Sequence, residues 1–238
     1  MKRYGLVGHP LGHSFSKAYF TEKFEKERLD CCYQNFDLQD IATLPKLLEQ
    51  HPDLCGFNVT VPYKETIIPY LDELDTISAK VGAVNTVKIL PDGQLKGFNT
   101  DVTGYEKYEV AAPALILGSG GASKAVQYAL EKNKVIFHIV SRDVLRGDYT
   151  YDLLTPDVIR EHRLIVNATP VGMFPKMDEA PLIPYEALTS NHVLIDLIYN
   201  PEETLFLRKG RERGAVTFNG LRMLYAQAEA AWTIWNRV

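Results

Sequence analysis

The sequence predicts an α/β protein, in which strands and helices alternate along the chain. The first observation is a succession of short apolar runs and longer amphipathic segments between Tyr4 and Gln50. The second is Phe57–Val61, where apolar and polar residues alternate as they do in a strand. The third is an apolar run, Ala114–Leu117, followed by a glycine-rich turn and a helical segment. Elements in this order form a sheet covered by helices.

The composition limits the class of protein. With 238 residues, of which 46% are hydrophobic and 24% charged, the chain can build one large domain or two smaller ones. The net charge of -4 and the lack of a basic cluster argue against a nucleic acid as partner. No apolar run approaches the ~18 residues of a membrane span and no signal peptide is evident, so a cytoplasmic protein without membrane contact is predicted. The three cysteines lack zinc spacing, and no metal site is predicted.

The first strand and helix carry two serines where the helix begins. Tyr4–Val7 is predicted as a strand, and the segment from Ser16 to Arg28 as a helix with Ser16 as its N-cap. If the approach is extended, Ser14 and Ser16 point to the same side. Two hydroxyl groups at a helix N-terminus can bind a carboxylate as well as cap the helix.

A lysine follows the strand in which apolar and polar residues alternate. The chain reaches that strand through a predicted strand, Cys31–Phe36, and a predicted helix, Ile41–Gln50. Pro62 suits the first position of a following helix, which places Lys64 in a first turn where the helix dipole disfavours a cation. A solvated surface lysine is the simple interpretation. A functional Lys64, presented together with Thr60 at the strand tip, is the alternative.

A hairpin leads to an aspartate at the start of the next helix. Val84–Ile89 and Leu95–Phe98 are predicted strands joined by a turn at 91–93. Asp101 then begins a helix, where the dipole stabilises an acidic side chain. Because Asp101 follows a strand end, as Lys64 does, both a helix-start role and a functional role are open.

The glycine-rich turn predicts a dinucleotide site. Gly118 permits the tight turn, and Gly120 lets a pyrophosphate approach the backbone. The small Ser123 lets the following helix pack on the strand.

The residues after the next strand, Val135–Val140, bear on the choice of dinucleotide. An acidic residue usually stands about 20 residues after the turn and bonds the ribose of NAD. Arg142 stands there instead, with Arg146 four residues later, and guanidinium groups suit a 2′-phosphate. NADP is therefore favoured, while the adjacent Asp143 keeps NAD open.

The last third of the chain continues the alternation. Strands are predicted at Leu164–Ala168, at Val193–Leu197 and near Val216, and helices over 204–209 and 221–236. The proline-rich segment from 169 to 184 is a long loop, and such loops are usually functional. The last helix carries a stripe at helical spacing that consists of Met223, Gln227, Ala230 and Ile234. Gln227 is either a core amide bonded to backbone or a group that binds a ligand.

Taken together, these motifs resemble the shikimate dehydrogenase family. The resemblance follows the family's order over nearly the whole chain, at residues 8–16, 58–64, 82–86, 97–101, 118–123, 167–173, 196–201 and 220–227. The chain departs from the family pattern at Lys17, Phe20, Thr21 and 141–143. It is also shorter than the family between Arg146 and Leu164 and between Asp101 and Ala114.

The resemblance implies two α/β domains with an active site between them. Residues 1–102, completed by 220–238, would form an N-terminal substrate-binding sheet domain. Residues 103–219 would form a Rossmann-type dinucleotide-binding domain. The implied reaction is the reversible, NADP-dependent reduction of 3-dehydroshikimate to shikimate in aromatic amino acid biosynthesis.

The resemblance also implies roles for individual residues. Proton transfer belongs to Lys64 and Asp101, with the division of roles between them open. The substrate carboxylate and ring hydroxyls would be held by Ser14, Ser16, Thr60, Asn85 and Gln227. The cofactor would be held by Gly118, Gly120, Gly121, Ala122, Ser141, Arg142, Arg146, Thr169, Tyr199 and Met223.

Two alternative functions are also compatible with the sequence. An NAD-using quinate or shikimate dehydrogenase is motivated by Asp143. A binding module for a small hydroxy acid, without catalysis, is motivated by the shortened cofactor half. Either a monomer or a homodimer is compatible with the sequence.

Overall fold

The computed structural model describes residues 1–12, 14–105 and 113–237. The chain divides into unit 1 (Met1–Thr100 with Ala228–Val238) and unit 2 (Asp101–Gln227). The sequence analysis placed the boundaries at 102/103 and 219/220. In the structure the C-terminal boundary lies between Gln227 and Ala228, further along the chain than predicted, because the first turns of the last helix contribute Met223 to the core of unit 2. Most of the shortened connector after Asp101, and His13 of the first loop, lie outside the described residues.

Unit 1 contains a six-stranded mixed sheet with the strand order β2-β1-β3-β5-β6-β4. β2, β1 and β3 are parallel, and β5 is antiparallel to both β3 and β6. The strands are β1 (Lys2–Gly8), β2 (Cys31–Asp37), β3 (Leu54–Val59), β4 (Glu73–Leu74), β5 (Thr86–Ile89) and β6 (Leu95–Phe98). The helices are α1 (Phe15–Lys26), α2 (Leu44–Gln50) and α3 (Thr76–Val81).

Unit 2 contains a five-stranded parallel sheet with the order β11-β10-β9-β7-β8. The strands are β7 (Ala114–Leu117), β8 (Phe137–Val140), β9 (Leu164–Asn167), β10 (Val193–Asp196) and β11 (Val216–Phe218). The helices are α4 (Asp101–Tyr105), α5 (Gly121–Lys132), α6 (Pro156–Glu161), α7 (Leu205–Glu212) and the start of α8 (Leu221–Asn236). The predicted α/β class is confirmed for both units, whereas the short α6 was not predicted.

The alternating strand of unit 1 is β3. Phe57 and Val59 are buried in one core beside Leu44 of α2, and Asn58 points to the other face, as the alternation predicts. The strand ends at Val59, so the predicted extension to Val61 is wrong. Val61 lies beyond the sheet and is 70% exposed.

An aromatic cluster joins α1 and α8 to the opposite face of this sheet. Tyr4 of β1 stacks on Trp235 with 4.8 Å between ring centroids, and Phe20 of α1 stacks on Tyr33 of β2 at 4.8 Å. Trp235 also donates a hydrogen bond from Nε1 to the carbonyl oxygen of Val87, at 2.9 Å. The end of the chain is thereby part of the core of unit 1.

This packing corrects the predicted apolar stripe of the last helix. The buried positions of α8 are Met223, Ala228, Ala231 and Trp235. Gln227, Ala230 and Ile234 are only half-buried. The stripe is displaced because Trp235, with its ring on Tyr4, fixes which side of the helix faces the sheet.

Residues 61–67 form turns, so the helix predicted to start at Pro62 is wrong. In a helix the carbonyl of Lys64 would accept from the N–H of residue 68. Here that carbonyl accepts from Val84 N at 2.7 Å, while Ile68 N donates to Glu65 O. Lys64 therefore does not lie in the first turn of a helix, and the argument for a functional Lys64 from the helix dipole is wrong.

The N-cap of α1 is Ser14, so the prediction of Ser16 is also wrong. Ser14 has extended backbone angles, and its Oγ accepts from Lys17 N at 3.2 Å. Ser16 stands inside the first turn and is buried. Both serines still lie at the helix start.

The aromatic cluster gives a stability prediction. Trp235→Phe keeps an aromatic ring but leaves Val87 O without its donor, so we expect the free energy of unfolding to fall by about 1 to 3 kcal/mol. Trp232→Phe is the control, because the Trp232 side chain contributes ring contacts with Tyr4 and Phe24. Its loss should be below about 1 kcal/mol. Urea unfolding followed by circular dichroism measures both, and equal losses would contradict the role of the Val87 bond.

Candidate active site

Several polar residues of unit 1 lie at one edge of its sheet. β1 and β3 are parallel and end at Gly8 and Val59. β5 is antiparallel to β3 and begins at this edge, where Val59 N donates to Asn85 O at 2.8 Å. β6 in turn ends here, at Phe98. The segments carrying Ser14, Thr60, Lys64, Asn85 and Thr100 therefore all leave the sheet at this edge.

Asn58 connects these segments below the surface. Its side chain is 4% exposed. Its Oδ1 accepts from the hydroxyl of Tyr33 at 2.8 Å, and its Nδ2 donates to Asn85 O at 3.3 Å and to Thr86 Oγ1 at 3.1 Å. A buried amide whose oxygen and nitrogen are both used in this way fixes three strands in register.

Asn85 uses its side-chain oxygen to hold the chain that leads into α4. Oδ1 accepts from Thr100 N at 2.7 Å and from the hydroxyls of Thr100 and Thr86 at 3.1 and 3.2 Å. Asn99, the preceding residue, donates from Nδ2 to Ala83 O at 2.9 Å. The position of the residue before Asp101 is therefore set by hydrogen bonds within unit 1. Asp101 itself begins α4 and is 6% exposed.

Lys64 is held to the same segment through its backbone. Its carbonyl accepts from Val84 N, the residue before Asn85. The adjacent Tyr63 is buried and donates from its hydroxyl to Leu38 O at 2.5 Å. The Lys64 side chain is half-buried, which differs from the freely solvated surface lysine of the simple interpretation.

Thr60 and the two serines lie beside the end of β1. A Cβ on Gly8 would collide with the methyl group of Thr60, so glycine is required at the point where the loop to Ser14 begins. Ser16 is linked to the buried network, because it hydrogen-bonds with Tyr33. Burial raises the pKa of Tyr33, and that hydrogen bond acts in the opposite direction. Ser16 is thus connected through Tyr33 to Asn58.

In unit 2 the glycine turn lies at the topological switch point of the sheet. β7 is flanked by β8 on one side and β9 on the other, and the connections to them run in opposite directions. Ligands of such sheets bind at the carboxyl ends of the strands beside this point. Gly118 follows β7 with φ +108°, and a Cβ there would lie 2.9 Å from Cγ2 of Thr169, which follows β9. Only glycine fits that position.

The start of α5 suits a pyrophosphate. Gly120 is its N-cap and has no heavy atom within 4 Å of where a Cβ would be, so the backbone is open to an approaching group. Gly121 and Ala122 then supply N–H groups in the first turn of this 12-residue helix. Ser123 is fully buried, and its hydroxyl accepts from Gln127 Nε2 of the same helix at 2.9 Å.

The residues after β8 form a compact turn against the glycine turn. The hydroxyls of Ser119 and Ser141 are 3.0 Å apart, and Arg146 donates from Nη2 to Ser119 O at 2.9 Å. Asp143 accepts from Leu145 N at 3.0 Å and caps a short 3₁₀ helix. Arg142 is exposed and lies near Tyr151: burial raises the pKa of Tyr151, and the guanidinium of Arg142 opposes this.

A second buried network shapes the loops after β9 and β10. Asn167 is fully buried, accepts from Thr169 Oγ1 at 2.6 Å and donates to Asp196 Oδ1 at 3.1 Å. Asp196 also accepts from Thr204 Oγ1 at 2.6 Å and from Ile198 N at 3.0 Å. Burial raises the pKa of Asp196 to about 6, although these hydrogen bonds lower it.

Three predicted residues sit on the later part of unit 2. Met223 is 6% exposed and packs against Gly104 and Tyr105 in the core, so it has a structural role. Tyr199 and Gln227 are half-buried.

Sequence reasoning missed the residues that hold the site. Asn58, Tyr33, Asn167 and Asp196 were not assigned a role. A polar residue within or at the end of an otherwise buried strand was the available signal for Asn58, Asn167 and Asp196. Tyr33 offered none. Within the described residues, no group of three or more His, Cys, Asp or Glu side chains could hold a metal ion. No described helix is both long and apolar enough to span a membrane.

Comparison with known proteins gives consistent results. A family model described as the shikimate dehydrogenase substrate-binding domain matches residues 6–87. A shikimate dehydrogenase (NADP(+)) of Methanosphaera stadtmanae is 36% identical over 260 residues, which cover 98% of this chain and 90% of that protein.

Solved structures extend the likeness to both units. A shikimate 5-dehydrogenase from Thermus thermophilus, in complex with NADP(H) and shikimate, is 32% identical with a TM-score of 0.88, covering 99% of this chain and 94% of that one. A quinate dehydrogenase from Corynebacterium glutamicum, in complex with NAD, is 28% identical with a TM-score of 0.87, covering 99% and 93%.

The raised pKa of Asp196 gives a pH prediction. Between its ordinary value of 3.8 and about 6, the native state holds a proton that the unfolded state releases. Stability therefore falls as the pH rises through this window, by ~1.4 kcal/mol per pKa unit of difference. Asp196→Asn stays neutral, so we expect urea unfolding of this variant to lose that part of the pH dependence.

Exposed Asp178→Asn is the matched control and should keep the pH dependence of the parent protein. If Asp196→Asn kept it as well, the buried carboxyl would not be its source.

Proposed function

Because this chain belongs to the shikimate dehydrogenase family, we propose that it reduces 3-dehydroshikimate reversibly to shikimate with NADPH, within aromatic amino acid biosynthesis. NADPH, when bound, supplies a hydride to the ketone carbon. The chain must bind the substrate, deliver a proton to the ketone oxygen and stabilise the charge that develops there.

The observation that carries this proposal is the hydrogen bond that the side-chain oxygen of Asn85 accepts from the backbone N–H of Thr100. This bond sets where Asp101 emerges, and the Lys64 carbonyl is bonded to Val84, next to Asn85. The backbone of Lys64 and the residue before Asp101 are thus held by hydrogen bonds to two adjacent residues, Val84 and Asn85. A positioned acid and base is what proton transfer requires.

Lys64 and Asp101 are the proposed catalytic residues. A lysine ammonium can donate the proton and present positive charge to the developing alkoxide, and a carboxylate can orient the ammonium. The proton transfer belongs to the pair, and its division between them is left open.

The substrate groups are assigned by their chemistry. Ser14 and Ser16 present hydroxyls at the start of α1, where a carboxylate is favoured by the helix dipole. Thr60, Asn85 and Gln227 are the proposed partners of the ring hydroxyls. The Asn85 oxygen is occupied by Thr100, so its amide N–H groups are the part that would face a ligand.

The residues around the glycine turn fit a dinucleotide. Gly118 makes the tight turn beside Thr169, Gly120 leaves open space at the start of α5, and Gly121 and Ala122 supply N–H groups in the first turn of that helix. Ser141, Arg142 and Arg146 surround the place of the adenosine 2′-phosphate. Tyr199 is the proposed neighbour of the nicotinamide. Met223 is almost fully buried, so only the small exposed part of its side chain would contact the nicotinamide.

The orientation of Asp143 supports NADP. Its Oδ1 accepts from Leu145 N, so one of the two carboxylate oxygens is used to cap its own turn, which leaves only Oδ2 for the ribose hydroxyls that the acid of an NAD site binds. An NAD-using quinate or shikimate dehydrogenase remains the second candidate, favoured by the presence of this acid beside Arg142.

The catalytic assignment predicts that Lys64→Ala lowers kcat at least ~100-fold, the scale of a lost general acid or base, with a smaller effect on KM. Asp101→Asn should behave similarly. Steady-state oxidation of shikimate with NADP+ measures both. Lys80→Ala, on the exposed face of α3, is the control and should keep parental turnover. Near-parental turnover of Lys64→Ala would exclude this mechanism.

The cofactor assignment predicts that Arg142→Ala weakens NADPH roughly 10- to 150-fold and leaves NADH nearly unchanged, because a charged hydrogen bond is worth ~1.5 to 3 kcal/mol. Fluorescence titration with both dinucleotides measures this.

Asp143→Asn is the paired control, since asparagine can also cap the turn. It should leave both affinities unchanged. If it weakened NADH instead, Asp143 would bond the ribose, and the NAD-using alternative would be correct.

A further inference from the structure

The hydroxyl of Tyr33 lies between two groups of the candidate site. The Tyr33 side chain is 4% exposed, and its ring stacks on Phe20 with 4.8 Å between the ring centroids. Phe20 follows Ser16 by four residues on α1, so both side chains project from the same face of the helix. The Tyr33 hydroxyl is therefore held between Ser16 on the helix and Asn58 on the strand.

The direction of each hydrogen bond in this chain follows from the groups involved. Asn58 Nδ2 donates to the carbonyl oxygen of Asn85, so the amide oxygen of Asn58 is the atom that faces Tyr33. An amide oxygen can only accept and a phenol has a single proton, so that proton is given to Asn58. The Tyr33 oxygen consequently accepts the proton of Ser16. In agreement, the hydrogen bond from Ser16 acts to lower the pKa of Tyr33, which burial raises.

The two serines at the start of α1 are therefore not equivalent. Ser14 Oγ accepts from Lys17 N at 3.2 Å, which leaves the Ser14 proton for another partner. Ser16 gives its proton to Tyr33 and keeps only lone pairs for a ligand. A carboxylate has no proton to give and requires donors. In the free protein Ser14 is ready to bind a carboxylate, whereas Ser16 is not.

We propose that Tyr33 is a positioning residue that limits the affinity for the substrate carboxylate, because it holds the proton of Ser16 inside unit 1. This inference rests on the proposed function, in which Ser14 and Ser16 hold that carboxylate. When the carboxylate binds, the Ser16 hydroxyl must turn its proton from the Tyr33 oxygen to the ligand. The bond to Tyr33 is given up in this step, so the affinity is lower than two unengaged hydroxyls would provide.

The exchange is favourable and leaves the buried network in place. A hydrogen bond to a carboxylate is stronger than one between neutral groups, so Ser16 gains by turning to the ligand. The proton of Tyr33 stays on Asn58, and Asn58 keeps its bond to Asn85 O. The strands of the site thus remain in register while Ser16 changes its partner.

The main test is a double-mutant cycle of Tyr33→Phe and Ser16→Ala, with shikimate binding measured by calorimetry. Tyr33→Phe keeps the ring on Phe20 and releases the Ser16 proton, so we expect the Kd for shikimate to fall roughly 2- to 10-fold. In the Ser16→Ala background the same substitution should leave the Kd unchanged. The donor lost at Asn58 is common to both steps and cancels in the cycle. Equal effects in the two backgrounds, or weaker binding by Tyr33→Phe, would overturn the proposal.

A second ligand separates this role from a merely structural one. The carboxamide of shikimate carries N–H groups, which the Ser16 oxygen can accept without giving up its bond to Tyr33. Tyr33→Phe should therefore bind shikimate more tightly and the carboxamide no more tightly. If Tyr33 only supported the fold, both affinities would change alike, and that result would refute the positioning role.

The unequal serines give a test that does not depend on the folding of a Tyr33 variant. Ser14→Ala removes a donor that is free to bind the carboxylate, so the Kd for shikimate should rise roughly 10- to 150-fold. Ser16→Ala should raise it less than ~10-fold, because the bond of Ser16 to the ligand replaces one to Tyr33. A larger effect of Ser16→Ala would contradict the assigned direction of the hydrogen bonds.

Turnover of the parent protein distinguishes this inference from the proposed function. A parent that oxidises shikimate with NADP+ but shows no coupling between Tyr33 and Ser16 would overturn only the role of Tyr33. A parent that binds shikimate without oxidising it would contradict the proposed function, and the cycle would still decide the role of Tyr33. A parent that neither binds nor oxidises shikimate would overturn both.

Discussion

The hydrogen bonds of the buried Asn58 side chain hold in place the polar residues at the strand ends of unit 1. This side chain joins Tyr33 on β2 to the beginning of β5, and Asn85 continues the connection to Thr100. An unpaired amide at this depth would cost about 1 to 3 kcal/mol for each group left without a partner. The network is therefore stable only when β2, β3 and β5 are in register. The geometry of the candidate site and the stability of the sheet are set by the same bonds.

Unit 2 uses a comparable arrangement at the end of its own sheet. Asn167 and Asp196 follow neighbouring strands and tie the loops after β9 and β10 to each other. Gly118 then brings the turn after β7 against Thr169, whose hydroxyl is held by Asn167. The place proposed for a dinucleotide is thus supported by buried side chains that need not touch the ligand. Such preorganisation reduces the ordering that a ligand must bring about on binding.

The sequence predicted what depends on local pattern. Alternating or continuous apolar runs located β6 and β7 at their observed bounds, and the glycine turn located the start of α5. The errors arose where a distant residue decided the outcome. Val84, about twenty residues away, takes the Lys64 carbonyl and prevents a helix at Pro62. Trp235 stacks on Tyr4 and turns α8 away from the stripe that spacing alone favoured. The site residues themselves came from motifs, whereas Tyr33 could be found only in the folded chain.

The order in which the chain is made has a consequence for unit 1. Ala228, Ala231 and Trp235 cover Tyr4, Leu6 and Phe20 on one face of its sheet, yet they are encoded after the whole of unit 2. During synthesis, the first hundred residues leave the ribosome with that aromatic face uncovered. Unit 2 meanwhile has all of its residues before α8 is complete. The aromatic face of the unit 1 sheet is therefore covered by α8 only after the residues of unit 2 have been synthesised.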